Sequence, residues 1–87
     1  MLVIVSLRRL ENDRIEIGVA RPQHHKNHTH NYPSEKEVRT VLLHLGITED
    51  AINFYLKLLA RMGACEQLRF PPMYIPQNNL LSRGFRL

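Results

Sequence analysis

The sequence of 87 residues has few of the features that define several common protein classes. Its single cysteine, Cys65, excludes an intrachain disulfide, so a packed core must hold the fold and a reducing compartment is favoured. No apolar run approaches the roughly 18 residues of a membrane span, and the first residues show no basic segment of a signal peptide. We therefore expect a cytoplasmic protein that has no membrane partner.

Residues that could carry catalysis or hold a small ligand are also scarce. The four glycines are scattered through the chain, so no glycine-rich loop can cradle a phosphate. Cys65 follows a predicted helix end, whereas catalytic thiols favour a helix N-terminus, and His44 has no carboxylate partner close to it in sequence. We predict that the protein is not an enzyme, and we expect no cofactor and no small-molecule substrate.

The composition is that of one small globular domain spanning residues 1–87. Hydrophobic residues make up 44% and charged residues 23%, which excludes a disordered chain, and the length excludes a second core. The formal net charge is +4, and it lies outside residues 34–63, whose acidic and basic residues balance. A basic chain favours polyanionic partners such as nucleic acid.

Alternating apolar residues predict an N-terminal β-hairpin over residues 2–20. A three-residue loop, residues 11–13, places Leu7 opposite Ile17, whereas a two-residue loop would mix the polar and apolar faces. The apolar face of the hairpin then consists of Val3, Val5, Leu7, Ile15, Ile17 and Val19.

Residues 21–33 are polar and lack periodicity, so we interpret them as a histidine-rich loop. Its histidines are His24, His25, His28 and His30. Neutral imidazoles bind Zn²⁺, Ni²⁺ or Cu²⁺. However, no cysteine or carboxylate lies between residues 17 and 34, and the histidine spacing matches no standard site. A solvated polar loop is therefore favoured over a metal site.

Residues 34–63 predict a helical hairpin. Ser34 begins a capping box, Gly46 ends the first helix and Thr48 caps the second. The second helix, residues 49–62, is apolar over about 200° of its circumference, so it needs cover on two sides or from a partner. We expect both helices to pack on the apolar face of the β-hairpin, which gives an α+β fold.

The helical pair resembles that of winged helix-turn-helix repressors. Gly46 stands at the turn, and residues 50–63, DAINFYLKLLARMG, match the "xLKxLxxxG" stretch of that family's second helix. The resemblance covers roughly residues 34–70. It implies that residues 65–70 form a strand, that the Pro/Asn-rich segment after them forms the wing, and that the protein is a nucleic-acid-binding regulator.

Polar and basic side chains on and after the second helix are the candidate contacts to bases or phosphates. They are Thr48, Asn53, Lys57, Arg61, Arg69, Arg83 and Arg86. The alternative interpretation is structural, with a helical hairpin that packs on a sheet and has no role in binding nucleic acid.

Residues 64–87 form an irregular tail with short strands, and its prolines restrict any strand to an edge of the sheet. The segment 70–76 is apolar, stiffened by proline and hard to bury in so small a core, which is typical of a partner interface. A protein-interaction or dimerisation module that uses helix 49–62 and this segment is therefore the alternative function. Its candidate interface residues are Phe54, Met73, Tyr74 and Ile75. In the structural alternative, the apolar tail residues cap the open side of the sheet.

Overall fold

The structure, a computed structural model, describes residues 1–85 as an antiparallel sheet with helices packed on one face. The elements are β1 (Leu2–Arg9), β2 (Ile15–Arg21), a 3₁₀ turn (Pro22–His24), β3 (Lys26–Tyr32), α1 (Glu35–His44), α2 (Glu49–Arg61), β4 (Gln67–Arg69), β5 (Met73–Tyr74) and α3 (Gln77–Leu81). The strands follow the order β3-β2-β1-β4, and β5 also pairs with β1. The α+β class is confirmed.

The N-terminal hairpin has the register that the apolar alternation predicts. Leu7 lies opposite Ile17 across β1 and β2. The loop of residues 11–13 closes with Asp13 in a left-handed conformation at φ 64°, which short polar residues tolerate in such loops. The expected loop length and the expected apolar face are both confirmed.

The interpretation of residues 21–33 as a loop is wrong, because most of this segment forms β3. Only the 3₁₀ turn and His25, which has a φ of 51°, connect β2 to it. All seven residues of β3 pair with β2, from Lys26 opposite Arg21 to Tyr32 opposite Ile15. The strand is polar because it is an edge strand whose side chains are mostly exposed, so it lacks the apolar alternation that identifies half-buried strands.

The two helices begin and end where their capping residues predict. The Ser34 hydroxyl accepts a hydrogen bond from the Glu37 amide at 3.4 Å, and the Thr48 hydroxyl accepts one from the Ala51 amide at 3.3 Å. Between the helices, Gly46 adopts a φ of 95°, which favours glycine at a helix end. These capping residues and the glycine end α1 and begin α2, so only a short connection lies between the two helices.

Both helices bury their apolar faces against the side of the sheet that carries Val3, Val5, Leu7, Ile15, Ile17 and Val19. The buried cluster adds Val38, Val41, Leu42 and Leu45 from α1 and its end, Ile47 from the connection, and Ile52, Leu56 and Leu59 from α2. The opposite face of the sheet has no helix on it in the part of the chain that the structure describes. This arrangement confirms the expected packing of the helical hairpin on the β-hairpin.

The tail runs along β1 as two short strands and then forms a helix. Residue Arg69 of β4 lies opposite Ser6, and Met73 of β5 lies opposite Val3, so the tail has one residue more than β1 over this stretch. Pro71 and Pro72 occupy that irregularity, where no ladder N–H is required. The strands are short and lie at an edge, as predicted. However, β4 and β5 pair with β1 and not with each other.

The end of the tail is more ordered than the predicted irregular segment, because Gln77–Leu81 forms the short helix α3. Leu80 of α3 and Phe85 beyond it are 1% and 0% exposed and belong to the core. None of the helices in residues 1–85 is long and apolar enough to cross a membrane.

Candidate functional site

An open apolar groove of about 550 Å³ lies between the start of α2 and the segment after β4. Its walls come from the α1–α2 connection, the first turns of α2 and the proline-containing segment. The lining residues are Leu45, Gly46, Ile47, Thr48, Ala51, Tyr55, Phe70, Pro71, Pro72, Met73, Tyr74 and Pro76. This groove combines the two features that the sequence marks as unusual, the wide apolar surface of the second helix and the apolar tail.

The proline wall follows from the way in which the tail is attached to β1. The Phe70 amide donates to the Val5 carbonyl at 2.8 Å, and the Ile75 amide donates to the Met1 carbonyl at 2.9 Å. Between these anchors, Pro71 and Pro72 have no N–H to donate, and both are exposed. The groove wall is therefore an extended segment that is tied to the sheet at both ends.

Aromatic rings line the groove on both sides, Tyr55 from α2 and Tyr74 from the proline-containing wall. The ring centroids of Tyr55 and Phe70 are 4.1 Å apart, which links α2 to the segment after β4. Phe54 contacts Tyr55 edge to face at 5.5 Å and is itself 59% exposed. Tyr74 is 80% exposed, the largest exposure among the large hydrophobic residues that the structure describes. Tyr74 thus presents exposed aromatic surface in the groove, whereas Phe70 belongs to the core and Phe54 lies outside the groove lining.

The groove is uncharged although the whole chain is basic. The lining residues are uncharged. Glu49 and Asp50 directly follow the lining residue Thr48, and both are exposed in the first turn of α2. Their position near the helix N-terminus is electrostatically favourable, and neither residue lines the groove itself.

The polar residues of α2 that were predicted to contact nucleic acid have different surroundings. Thr48 caps the helix with its hydroxyl, and the amide oxygen of Asn53 accepts a hydrogen bond from Arg39 of α1 at 2.5 Å. Both side chains therefore already have local roles. Lys57 and Arg61 are exposed on the same helix.

The arginines predicted to extend that surface lie elsewhere. Arg69 pairs with Ser6 in the sheet, and since side chains alternate along a strand, it faces away from α2. Arg83 lines a separate depression with Tyr32 and the first turns of α1. Arg86 lies outside the described residues. The predicted nucleic-acid contacts within residues 1–85 therefore do not form one surface.

The histidines also separate into different surroundings. His24 and His25 lie at the 3₁₀ turn, while His28 and His30 are on β3. The ring of His30 meets Phe85 edge to face at 4.9 Å, and its Nε2 lies 3.1 Å from the Gly84 carbonyl oxygen, to which it donates. No group of three ligating side chains suited to a metal ion occurs among residues 1–85.

The predicted interface residues divide among the groove, the core and, for Phe54, an exposed part of α2 that does not line the groove. Phe54 and Tyr74 are exposed, and Met73 is half-buried and lines the groove. The prediction for Ile75 is wrong, because this side chain is 1% exposed and packs in the core. Tyr55 also lines the groove. It lies on the apolar arc of the second helix, but helical periodicity does not distinguish core from groove, so the sequence does not identify it as a site residue.

Comparison with family models, with curated proteins and with solved structures finds no match to this chain. The fold itself defines an α+β protein. Its antiparallel sheet has four strands in the order β3-β2-β1-β4, and a helical hairpin packs on one face.

Proposed function

We propose that the protein is a peptide-binding interaction module whose groove takes an extended, proline-containing segment of a partner protein with a basic residue at one end. The observation that carries this proposal is the uncharged groove lined by aromatic and proline side chains beside Glu49 and Asp50. A cytoplasmic setting is part of the proposal and depends only on the cysteine count.

The shape and chemistry of the groove favour an extended ligand over a folded one. Polyproline II segments dock in grooves lined by aromatic side chains, and they lose little conformational entropy because they are already extended. Tyr55 and Tyr74 supply flat apolar surface of this kind, and the buried ring of Phe70 supports Tyr55 from below. Exposed apolar surface without a partner costs solubility, and it is typical of interaction sites.

The two acidic residues that follow the groove residue Thr48 favour one direction of the bound peptide. Glu49 and Asp50 attract a basic residue and repel an acidic one, and such rim charges affect specificity and association rate more than total affinity. A peptide with arginine at one end therefore binds more tightly than the same peptide with glutamate there.

The test is a fluorescence titration with two labelled proline-rich peptides that differ only in arginine or glutamate at the end. We expect Tyr74→Ala to weaken binding of the arginine peptide about tenfold, the scale of an interface anchor. Glu49→Gln combined with Asp50→Asn removes the preference between the peptides. Leu81→Ala, which also removes an exposed apolar side chain, is the matched control and leaves binding unchanged. Absence of saturable binding of both peptides contradicts the proposal.

The second candidate function is nucleic-acid binding through α2, as the resemblance to winged helix-turn-helix repressors implies. The observation that favours it is that Lys57 and Arg61 are both exposed and lie one helical turn apart. Their joint exposure provides two phosphate contacts on one helix face.

Anisotropy with labelled duplex DNA and single-stranded RNA at about 50 and 200 mM salt tests this candidate. Binding through phosphates falls steeply with salt, and it is lost when Asn53, Lys57 and Arg61 are replaced by alanine. Affinity that survives the triple substitution excludes α2 as the site. The same triple variant keeps its peptide affinity if the groove is the functional site.

A further inference from the structure

The outer edge of β3 is the longest free strand edge among the described residues. The strand pairs with β2 over all seven residues from Lys26 to Tyr32 in one unbroken register. On its other side, residues 1–85 contribute no strand. Five of its seven residues are exposed. An edge of this kind presents a row of backbone donors and acceptors to which another strand can pair.

The opposite edge of the sheet is protected from pairing with a strand of another molecule. There the segment along β1 consists of two short strands interrupted by Pro71 and Pro72, and prolines and irregularities prevent edge-to-edge pairing. The strand β3 contains no proline, and its only formally charged residue is Lys26, at its first position. The structure therefore leaves one edge open and closes the other.

We propose that β3 is a homodimer interface, at which a second copy of this chain pairs antiparallel about a two-fold axis through Thr29. Full overlap of the seven-residue strands sets this register, because a residue opposite its own copy must be the middle one. Thr29 then lies opposite the partner's Thr29, His28 opposite the partner's His30, and Lys26 opposite the partner's Tyr32.

The side chains of β3 suit this self-pairing. Residues directly opposite each other in an antiparallel pair interact, threonine pairs are favourable and like charges are unfavourable. In the proposed register the only formal charge, on Lys26, faces a tyrosine and not its own copy. A symmetric interface must be complementary to itself, and no pair in this register places two formal charges together.

The dimer that follows from this contact is weak and reversible. A pair of seven-residue strands buries less surface than the roughly 1,200 Å² of a stable protein interface. The groove lies at the β5 end of the strand order and β3 at the other, so dimerisation leaves both grooves open. This inference does not depend on the proposed peptide-binding function.

The test uses two variants with opposite charges at the two-fold axis. Thr29 is exposed, so Thr29→Asp and Thr29→Lys alter the edge without disturbing the core. In the proposed register each variant places like charges opposite each other, and we expect each alone to be monomeric by analytical ultracentrifugation. Mixed together, the two variants form a heterodimer, because the opposite charges then face each other.

Thr40→Asp and Thr40→Lys are the matched controls, since Thr40 is an exposed threonine on α1, and both dimerise like the unchanged chain. A chain that stays monomeric at the highest attainable concentration overturns the proposal. Dimerisation that persists in both Thr29 variants also overturns it and assigns the contact to another surface. Formation of the mixed heterodimer excludes misfolding as the reason why either variant alone is monomeric.

Discussion

At the scale of single residues, the close approach of Ser6 leaves no room for a side chain at position 18 and so requires glycine there. Ser6 lies opposite Gly18 across β1 and β2 and is 8% exposed. Its hydroxyl accepts a hydrogen bond from Gln67 of β4 at 3.2 Å. A Cβ added at Gly18 would lie 2.6 Å from that hydroxyl oxygen, which is closer than packed atoms approach.

We predict that Gly18→Ala lowers the free energy of unfolding by about 1–2 kcal/mol, because the Ser6 hydroxyl must move and lose its hydrogen bond. The loss should be smaller in a Ser6→Ala background, where the clashing oxygen is absent. Urea unfolding of the four proteins in this double-mutant cycle measures the difference. Equal losses in both backgrounds would show that the close approach to Ser6 is not the cause.

Tyr32, at the end of β3, has a phenol whose ionisation is linked to folding. Burial raises the pKa of this hydroxyl above its usual value of 10.0, the nearby Arg83 lowers it in part, and Glu37 raises it further. Because the folded state holds the proton more tightly, the stability from Tyr32 is complete below its usual pKa. That stability is lost as the pH rises through the raised pKa of the folded state.

We therefore expect the free energy of unfolding to fall as the pH rises above about 10, and Tyr32→Phe to reduce that fall. Urea unfolding of both proteins at several pH values measures it. Tyr74→Phe, which removes a hydroxyl from an exposed tyrosine, is the control. An identical decline in the wild type and in Tyr32→Phe would refute the role of Tyr32.

At the scale of secondary-structure elements, local sequence signals predicted the positions of the helices better than those of the strands. The capping residues Ser34 and Thr48 both make the side-chain hydrogen bonds that their positions predict. The short helix α3 has no such signal, since its N-cap is Pro76 and no side-chain cap is formed. The position of α3 in the fold depends on the burial of Leu80 in the core.

Thr48→Ala should destabilise the protein by about 1 kcal/mol, because the Ala51 amide loses its acceptor at the start of α2. Thr48→Ser keeps the hydroxyl and should restore most of the stability. Thermal unfolding followed by circular dichroism compares the three proteins. A serine variant as unstable as the alanine variant would mean that the methyl group at the groove, and not the cap, is what matters.

At the scale of the whole molecule, the tail closes the core by contacts between distant parts of the chain. Phe85 is 0% exposed and meets the ring of His30 of β3. The donation from His30 Nε2 to the Gly84 carbonyl joins residues 54 positions apart. Gly84 and Phe85 therefore keep the edge strand β3 close to α3.

Phe85→Ala should lower the free energy of unfolding by about 3–5 kcal/mol, the usual cost of emptying a buried phenylalanine site. Hydrogen exchange should increase in both α3 and β3, since the two elements share this contact. Leu81→Ala, at a residue that is 44% exposed, should have a much smaller effect. Faster exchange confined to α3 would indicate that Phe85 does not hold β3.

The sequence by itself determined the β-hairpin register, the two long helices and the face on which they pack. Each of these depends on residues close in the chain, through apolar periodicity, turn length or capping. Tertiary structure alone decided that the histidine-rich segment is a strand, because its stability comes from pairing with β2 and not from its own side chains. It also decided the groove, because Tyr55 and Phe70 are distant in sequence and meet only after the tail pairs with β1. Local sequence patterns cannot predict contacts that form only when a later segment pairs with the edge of a particular strand.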